Sequence, residues 1–402
     1  MSNLKLKLSC LVLIFTTIPL AGCAAITGQT TDEGIPPDTE LGKMLALLPY
    51  SFVVENDIWF GNPAKAKEMH GLGDLGSYQE IGKVIEQMPE DEQMRLLSDL
   101  LATLVALPHW IEPEVASLTG LDVTTADRLL CGDVIPPHGY HIYEGDFDEA
   151  LIGQKLIGQG YTKTGYGWYS YYGIRGDFET DLRHPLGRLV LASLNRVAIL
   201  DDTVITSPVT ADITGILDVM MGNTPSIIEN EACRALVASL GDVLMATLTT
   251  SERIIFSDLS GEEGIPEFNF AVPADWGVLR GYRMAALGYR AEGDRFYLDI
   301  ALYYDNEASA TADGNEIIKR MSSYKLDTWG PFPEKAAFTD HYLPGEPVVT
   351  RCAGGFVLKI TCQNLLYPEY KYGISMVTGS AGWPLRDLLF LAPDPSLYIA
   401  KE

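Results

Sequence analysis

Basic residues are scarce in this 402-residue chain: 29 lysines and arginines stand against 54 aspartates and glutamates, a formal charge of −25. A surface of that sign repels phosphate backbones and anionic lipid headgroups, which argues against nucleic-acid binding and against attachment through a basic patch. The six histidines accompany no Gly-x-Ser-x-Gly elbow, so no serine nucleophile is marked by its turn. Gly158-Gln159-Gly160 and Gly165-Tyr166-Gly167 lack a strand-turn-helix setting and a following Lys-Ser or Lys-Thr, which removes dinucleotide and phosphate loops. The acidic sets Asp146, Asp148, Glu149 and Asp305, Glu307, Asp313, Glu316 lack the ligand spacing and turn glycine of a twelve-residue calcium loop. They read as solvated turns and helix starts. No carboxylate pair of glycosidase type stands out, and no cofactor is expected.

Long apolar runs are missing too. Residues 8–20 follow Lys5 and Lys7 and are too short to cross about 30 Å of hydrocarbon, the layout of a secretory signal. Leu20-Ala21-Gly22-Cys23 ends that run and resembles the lipobox of bacterial lipoproteins. The resemblance implies cleavage before Cys23, a diacylglycerol on its sulfur, and an extracytoplasmic body lipid-anchored to a bacterial membrane. Each buried methylene contributes roughly 0.8 kcal/mol, so several acyl chains retain what one would release. The expected organisation is a signal peptide over 1–22 and a tether over 23–39, the latter rich in Gly, Pro, Thr and acid. Without residues 1–22 the balance is 27 basic against 54 acidic side chains.

After Cys23 the chain has four cysteines: Cys131, Cys233, Cys352 and Cys362. Export permits disulfides, and Cys352 with Cys362 is the shortest pairing in sequence. A tight turn at Ala353-Gly354-Gly355 would place Cys352 opposite residues near Val357 instead, so free buried thiols are the alternative.

The expected fold class is α+β: repeated antiparallel-sheet modules with helices packed on one face. A helix-rich domain is expected over 40–244 and a second α+β domain over 245–402. Helices are expected over 41–48, 63–70, 77–87 and 91–107, with strands at 52–54 and 58–60. Strand 141–144 is followed by Gly145 and a helix that Asp146 caps with Glu149. An aromatic segment at 161–172 would form a hairpin broken at Gly165 or Gly167. Strands 197–200 and 203–206 flank Asp201-Asp202. Ser207 caps a helix with Pro208 in its first turn, and Ser226 with Glu229 starts another. Phe296, Leu298, Ile300, Leu302 and Tyr304 alternate with Tyr297, Asp299, Ala301 and Tyr303, the two faces of one strand. A helix over 313–324, strands at 348–352 and 356–362, and a short element at 388–391 complete the reading.

Gly145-Asp146-Phe147-Asp148, the Gly160-Tyr161 step, the strand at 197–200 and the segment from Asn223 to Glu229 resemble an uncharacterised class of anchored extracytoplasmic bacterial α+β proteins. The likeness covers about residues 140–245. It implies fold and placement and lends no catalytic residue.

Two constellations carry chemistry. His138, His141 and Glu144, with Asp146 nearby, approach a zinc-like ligand set, although a strand through His141 would alternate faces and favour a polar loop with a capped helix. Tyr161, Tyr166, Trp168, Tyr169, Tyr171 and Tyr172 would divide between the two sides of an extended segment, one side filling the core. The other could offer an amphipathic platform to a sugar, a peptide or an envelope protein. The leading expectation is a noncatalytic binding or scaffold protein held to the membrane through lipidated Cys23. The alternatives are a metal-assisted or acid-base hydrolase with a site near 138–146, and a structural envelope protein.

Overall fold

The alternation on 296–304 organises half the molecule. The computed structural model describes residues 38–55, 57–72, 78–89, 113–132, 139–250, 279–293, 295–326 and 336–365, with Gln93, Leu100, Thr103 and Gly277 placed singly. In chain order the strands are β1 (Ile58–Gly61), β2 (Ala126–Gly132), β3 (His141–Gly145), β4 (Thr162–Tyr166), β5 (Tyr169–Gly173), β6 (Arg196–Leu200), β7 (Thr203–Ser207) and β8 (Met245–Thr250). They continue as β9 (Met284–Glu292), β10 (Arg295–Tyr304), β11 (Lys325–Leu326), β12 (Ala336–Ala337), β13 (Tyr342–Pro344), β14 (Val348–Cys352) and β15 (Gly355–Asn364). Apart from the β11–β12 pair, they form one 13-stranded sheet in the order β13-β15-β10-β9-β8-β1-β2-β3-β7-β6-β5-β4, with β14 also on β15. Its pairings are antiparallel. This is a mixed α+β fold with a large antiparallel sheet and helices packed alongside it.

Both faces carry helices. Phe296, Leu298, Ile300, Leu302 and Tyr304 share a core with Ile317 and Met321 of the helix Glu307–Ser323. Ala301 and Tyr303, on the opposite face of β10, join a core with Leu236 and Leu240 of the helix Glu231–Leu240. That second core continues across β1, β2, β3 and β7 beneath the helices Glu40–Leu45, Ser51–Glu55 and Thr210–Met220. A third core lies behind β2–β7, where Ile152 and Leu156 of the helix Glu149–Gly158 meet Tyr143, Val197 and Val204. Each fully buried Leu, Ile or Phe contributes roughly 1.5–3 kcal/mol. β1 pairs with β2 on one side and β8 on the other, so the strands before and after Met245 share one sheet.

Several local expectations change. Residues 52–54 are helical, because the helix Ser51–Glu55 turns both Phe52 and Val53 into the second core whereas a strand would send them to opposite faces. The cap before the helix Glu149–Gly158 is Asp148, whose carboxylate accepts from Leu151 N at 2.9 Å, and Asp146 remains exposed before it. Ser207 lies before rather than at the cap of Thr210–Met220: its hydroxyl accepts from Val209 N and donates to Asp212 Oδ2. Asn306 starts the helix at Glu307, well before Asp313. The Ser226–Glu229 capping box is present on a short 3₁₀ turn, and Asn230 caps the following α-helix. Residues 1–37, with Cys23, most of 91–107, His138 and 388–391 lie outside the described residues.

Among the described residues, Cys131, Cys233, Cys352 and Cys362 form no disulfide. The β14–β15 register sets Cys352 opposite Gly355, while Cys362 lies seven residues further along β15, on the order of 24 Å at strand spacing. Cys352 borders the second core and Cys362 belongs to the first, so the two thiols face opposite sides of the sheet.

Candidate functional site

The aromatic segment forms the hairpin β4–β5 at one end of the sheet. Tyr166 pairs with Tyr169, leaving Gly167-Trp168 as a two-residue link. Gly167 has φ +56° and Trp168 has none of the left-handed character, the pattern of a type II′ turn, which glycine at the first linking position supplies. The break therefore falls at Gly167, and Gly165 is an ordinary strand residue paired with Ser170.

The six aromatics divide by face. Tyr161 is buried, donates its hydroxyl to Leu194 O at 2.8 Å, and has its phenol pushed above the usual range by burial. Tyr172 is buried in the third core, with the Lys163 ammonium 5.4 Å from its ring centre. Its hydroxyl sits where a side chain on Gly153 would begin, which is why the helix Glu149–Gly158 approaches β5 so closely. Tyr166, Tyr169 and Tyr171 pack half-buried on the opposite face, beside Met220 and Met221. Tyr166 donates to Asp218 Oδ2 at 3.0 Å, and that hydrogen bond holds its phenol above the ordinary value. Asn223 donates to the other oxygen of Asp218 at 3.1 Å. Trp168 alone projects from the tip, 88 % exposed. Five aromatics therefore fix the hairpin and one is presented.

β4 is the terminal strand of the sheet among the described residues, and Thr162, Lys163, Thr164 and Gly165 are all exposed. The opposite edge is interrupted: β13 and β14 lie in succession along β15, separated by Gly345-Glu346-Pro347 and preceded by Pro344. Proline and a break in pairing are ways of closing a sheet edge to strand addition. β4 has neither.

The 138–146 region forms a different feature. β3 places His141 and Tyr143 on one face, with rings 6.1 Å apart and nearly parallel, and Glu144 on the other. His141 is buried, and loss of solvent lowers its pKa from 6.5 to about 4. Glu144 donates nothing and accepts from Arg128 Nη2 at 2.6 Å; burial raises its carboxyl against the opposing pull of Arg128. Arg128 also contacts Glu40. Around this pair is an acidic recess of about 400 Å³ lined by Asp127, Asp146, Phe147, Asp201 and Asp202. His141 and Glu144 are thus not brought together. Among the described residues no group of three or more His, Cys, Asp or Glu side chains is arranged to hold a metal ion.

The aromatics and the glycines stand out in the sequence, whereas Lys163 and Asp218 carry no local signal. Nothing in local composition marks a strand as terminal, because that depends on which distant segments pair.

Among the described residues, the fold and the hairpin define an α+β protein with an open, aromatic-tipped sheet edge. Among solved structures, the chain is similar to the one described as "Structure of crystal form III of TP0453", with a TM-score of 0.33 and 8% identity over 87% of this chain and 100% of that one. No family model and no curated protein matches the chain. Among the described residues, no helix is long and apolar enough to cross a membrane.

Proposed function

We propose that the chain is a lipid-anchored extracytoplasmic protein of a bacterial membrane, noncatalytic, whose body recognises an envelope partner through the β4–β5 hairpin. Its placement rests on Leu20-Ala21-Gly22-Cys23, with Cys23 as the lipidated residue. The observation that carries the recognition reading is Trp168, held 88 % exposed at the tip of a hairpin whose other aromatics are packed down. An indole ring left in water on a fixed support is the kind of large, low-entropy anchor that fills a partner's pocket. Tyr166, Tyr169 and Tyr171 act as its support.

A photoreactive residue at position 168, introduced into the full chain in the native cell, tests this reading. The expected result is a discrete cross-linked adduct from position 168 and none from Arg295, an exposed residue at the start of β10. Equal, diffuse labelling from both positions would contradict recognition through the hairpin. Mass spectrometry of the mature protein tests the anchor: a diacylglyceryl Cys23 at the N-terminus is expected, and an unmodified thiol or an intact leader would contradict it.

A further inference from the structure

Strand β4 exposes backbone as well as side chains, and which groups it exposes follows from the hairpin. In a two-residue hairpin the residues flanking the turn, Tyr166 and Tyr169, exchange hydrogen bonds, and pairs then alternate between bonded and non-bonded. Thr164 with Tyr171 and Thr162 with Gly173 are accordingly bonded across the hairpin. The N–H and C=O groups of Lys163 and Gly165 point away from β5. The neighbouring ladder agrees in phase: Ile174 N donates to Asn195 O at 3.0 Å, so Tyr172 and Ile174, the even positions, face β6.

We infer that β4 receives an extended peptide segment of a partner protein as an added antiparallel strand, bonded to the backbones of Lys163 and Gly165. This rests on the recognition reading of the hairpin and specifies its mode. Lys163 and Gly165 share one side of β4, and a side chain on Gly165 would meet nothing within 4 Å. The added strand therefore carries a bulky apolar residue opposite Gly165 and, two positions on, an acidic residue opposite Lys163, the one charged side chain of β4. A second copy fits less well. A five-residue edge is short of the roughly 1,600 Å² of an ordinary protein interface, and each copy carries the same excess of negative charge.

The test selects a displayed library of random dodecapeptides on the detergent-solubilised full chain. Selected peptides should share an aromatic-x-acidic pattern and bind Gly165→Pro about tenfold or more weakly. Proline there removes only an outward N–H, which an edge strand tolerates, so the thermal midpoint of Gly165→Pro should match wild type. Gly165→Ala keeps the N–H and should bind within about threefold of wild type. Lys163→Glu should exchange the acidic preference for a basic one. Failure to recover such peptides, or equal binding to a folded Gly165→Pro chain, overturns strand addition. So does a wild-type dimer in sedimentation that Gly165→Pro dissociates, because the occupant is then a second copy. If Gly165→Pro leaves the cross-link from position 168 intact in cells, strand addition fails while the hairpin reading stands; if wild type gives no cross-link, the hairpin reading itself fails.

Discussion

The hydroxyl of Tyr166 reaches across 52 residues of chain to donate to Asp218 Oδ2 at 3.0 Å, fastening the tip of the β4–β5 hairpin to the end of the helix Thr210–Met220. Among the described residues this hairpin has a neighbour strand on one side only, so such a tie limits its swing. Tyr166→Phe should therefore raise amide hydrogen exchange across 162–173 while leaving exchange in β9, β10 and β15 unchanged. Asp218→Asn should lower the pKa of the Tyr166 phenol, read from an absorbance titration of wild type against variant, because the carboxylate is what raises it.

Gly167 fits its place for two reasons. Its φ of +56° is unfavourable for an L side chain, and an added Cβ would meet the sulfur of Met221. Gly167→Val should cost roughly 1–2 kcal/mol from backbone strain, measured by urea unfolding, and should shift the environment of Trp168. Met221 is flexible enough to yield, so the backbone term dominates.

Asp299 is fully buried between Arg290 Nε at 2.7 Å, Lys359 Nζ at 3.1 Å and the hydroxyl of Thr361 at 2.6 Å. Lys359 also donates to Ser239 O in the last turn of Glu231–Leu240, so one cluster joins β9, β10, β15 and that helix. Asp299→Ala leaves two cations without their shared carboxylate. The loss should be about 3 kcal/mol, at the lower end of the range for broken buried pairs because Arg290 and Lys359 retain some water contact. A lower urea midpoint with an unchanged slope is the expected readout.

His141 gives the fold a pH dependence of definite sign. Folding holds the ring neutral down to about pH 4, whereas the unfolded chain binds a proton near 6.5. Between those values the unfolded state carries more protons, so stability rises with pH, and falls as pH drops from 6.5 toward 4. The span corresponds to about 3 kcal/mol. His141→Gln should flatten that part of the stability profile relative to wild type, as followed by urea unfolding at successive pH values.

The sequence made some elements legible because their signals are local. The five alternating residues from Phe296 to Tyr304 do line one core, and Ala301 and Tyr303 line another. The Asp201-Asp202 turn and the stop at Gly222 follow from short-range geometry, with Asp201 at φ +46° and Gly222 at φ +73°. Phe52-Val53-Val54 misled because strand propensity there yields to a core that both Phe52 and Val53 can reach only from a helix. Asp146 and Asp148 are chemically equivalent as caps, and only the entry angle of the chain chooses between them. For the site, the aromatic content of 161–172 was visible, while its partition into five packed rings and one exposed ring was not. That partition depends on helices Glu149–Gly158 and Thr210–Met220, which close on the hairpin from opposite faces.

Recognition through the hairpin requires Trp168 to be covered by a partner in the cell. Hydroxyl-radical oxidation of Trp168, quantified by peptide mass spectrometry in intact cells and in the purified full chain, measures this directly. Rapid oxidation is expected in the purified protein and strong protection in cells, with Arg295-containing peptides labelled alike in both. Equal oxidation of Trp168 in the two settings would show the ring bare in its native surroundings and would contradict recognition through the hairpin.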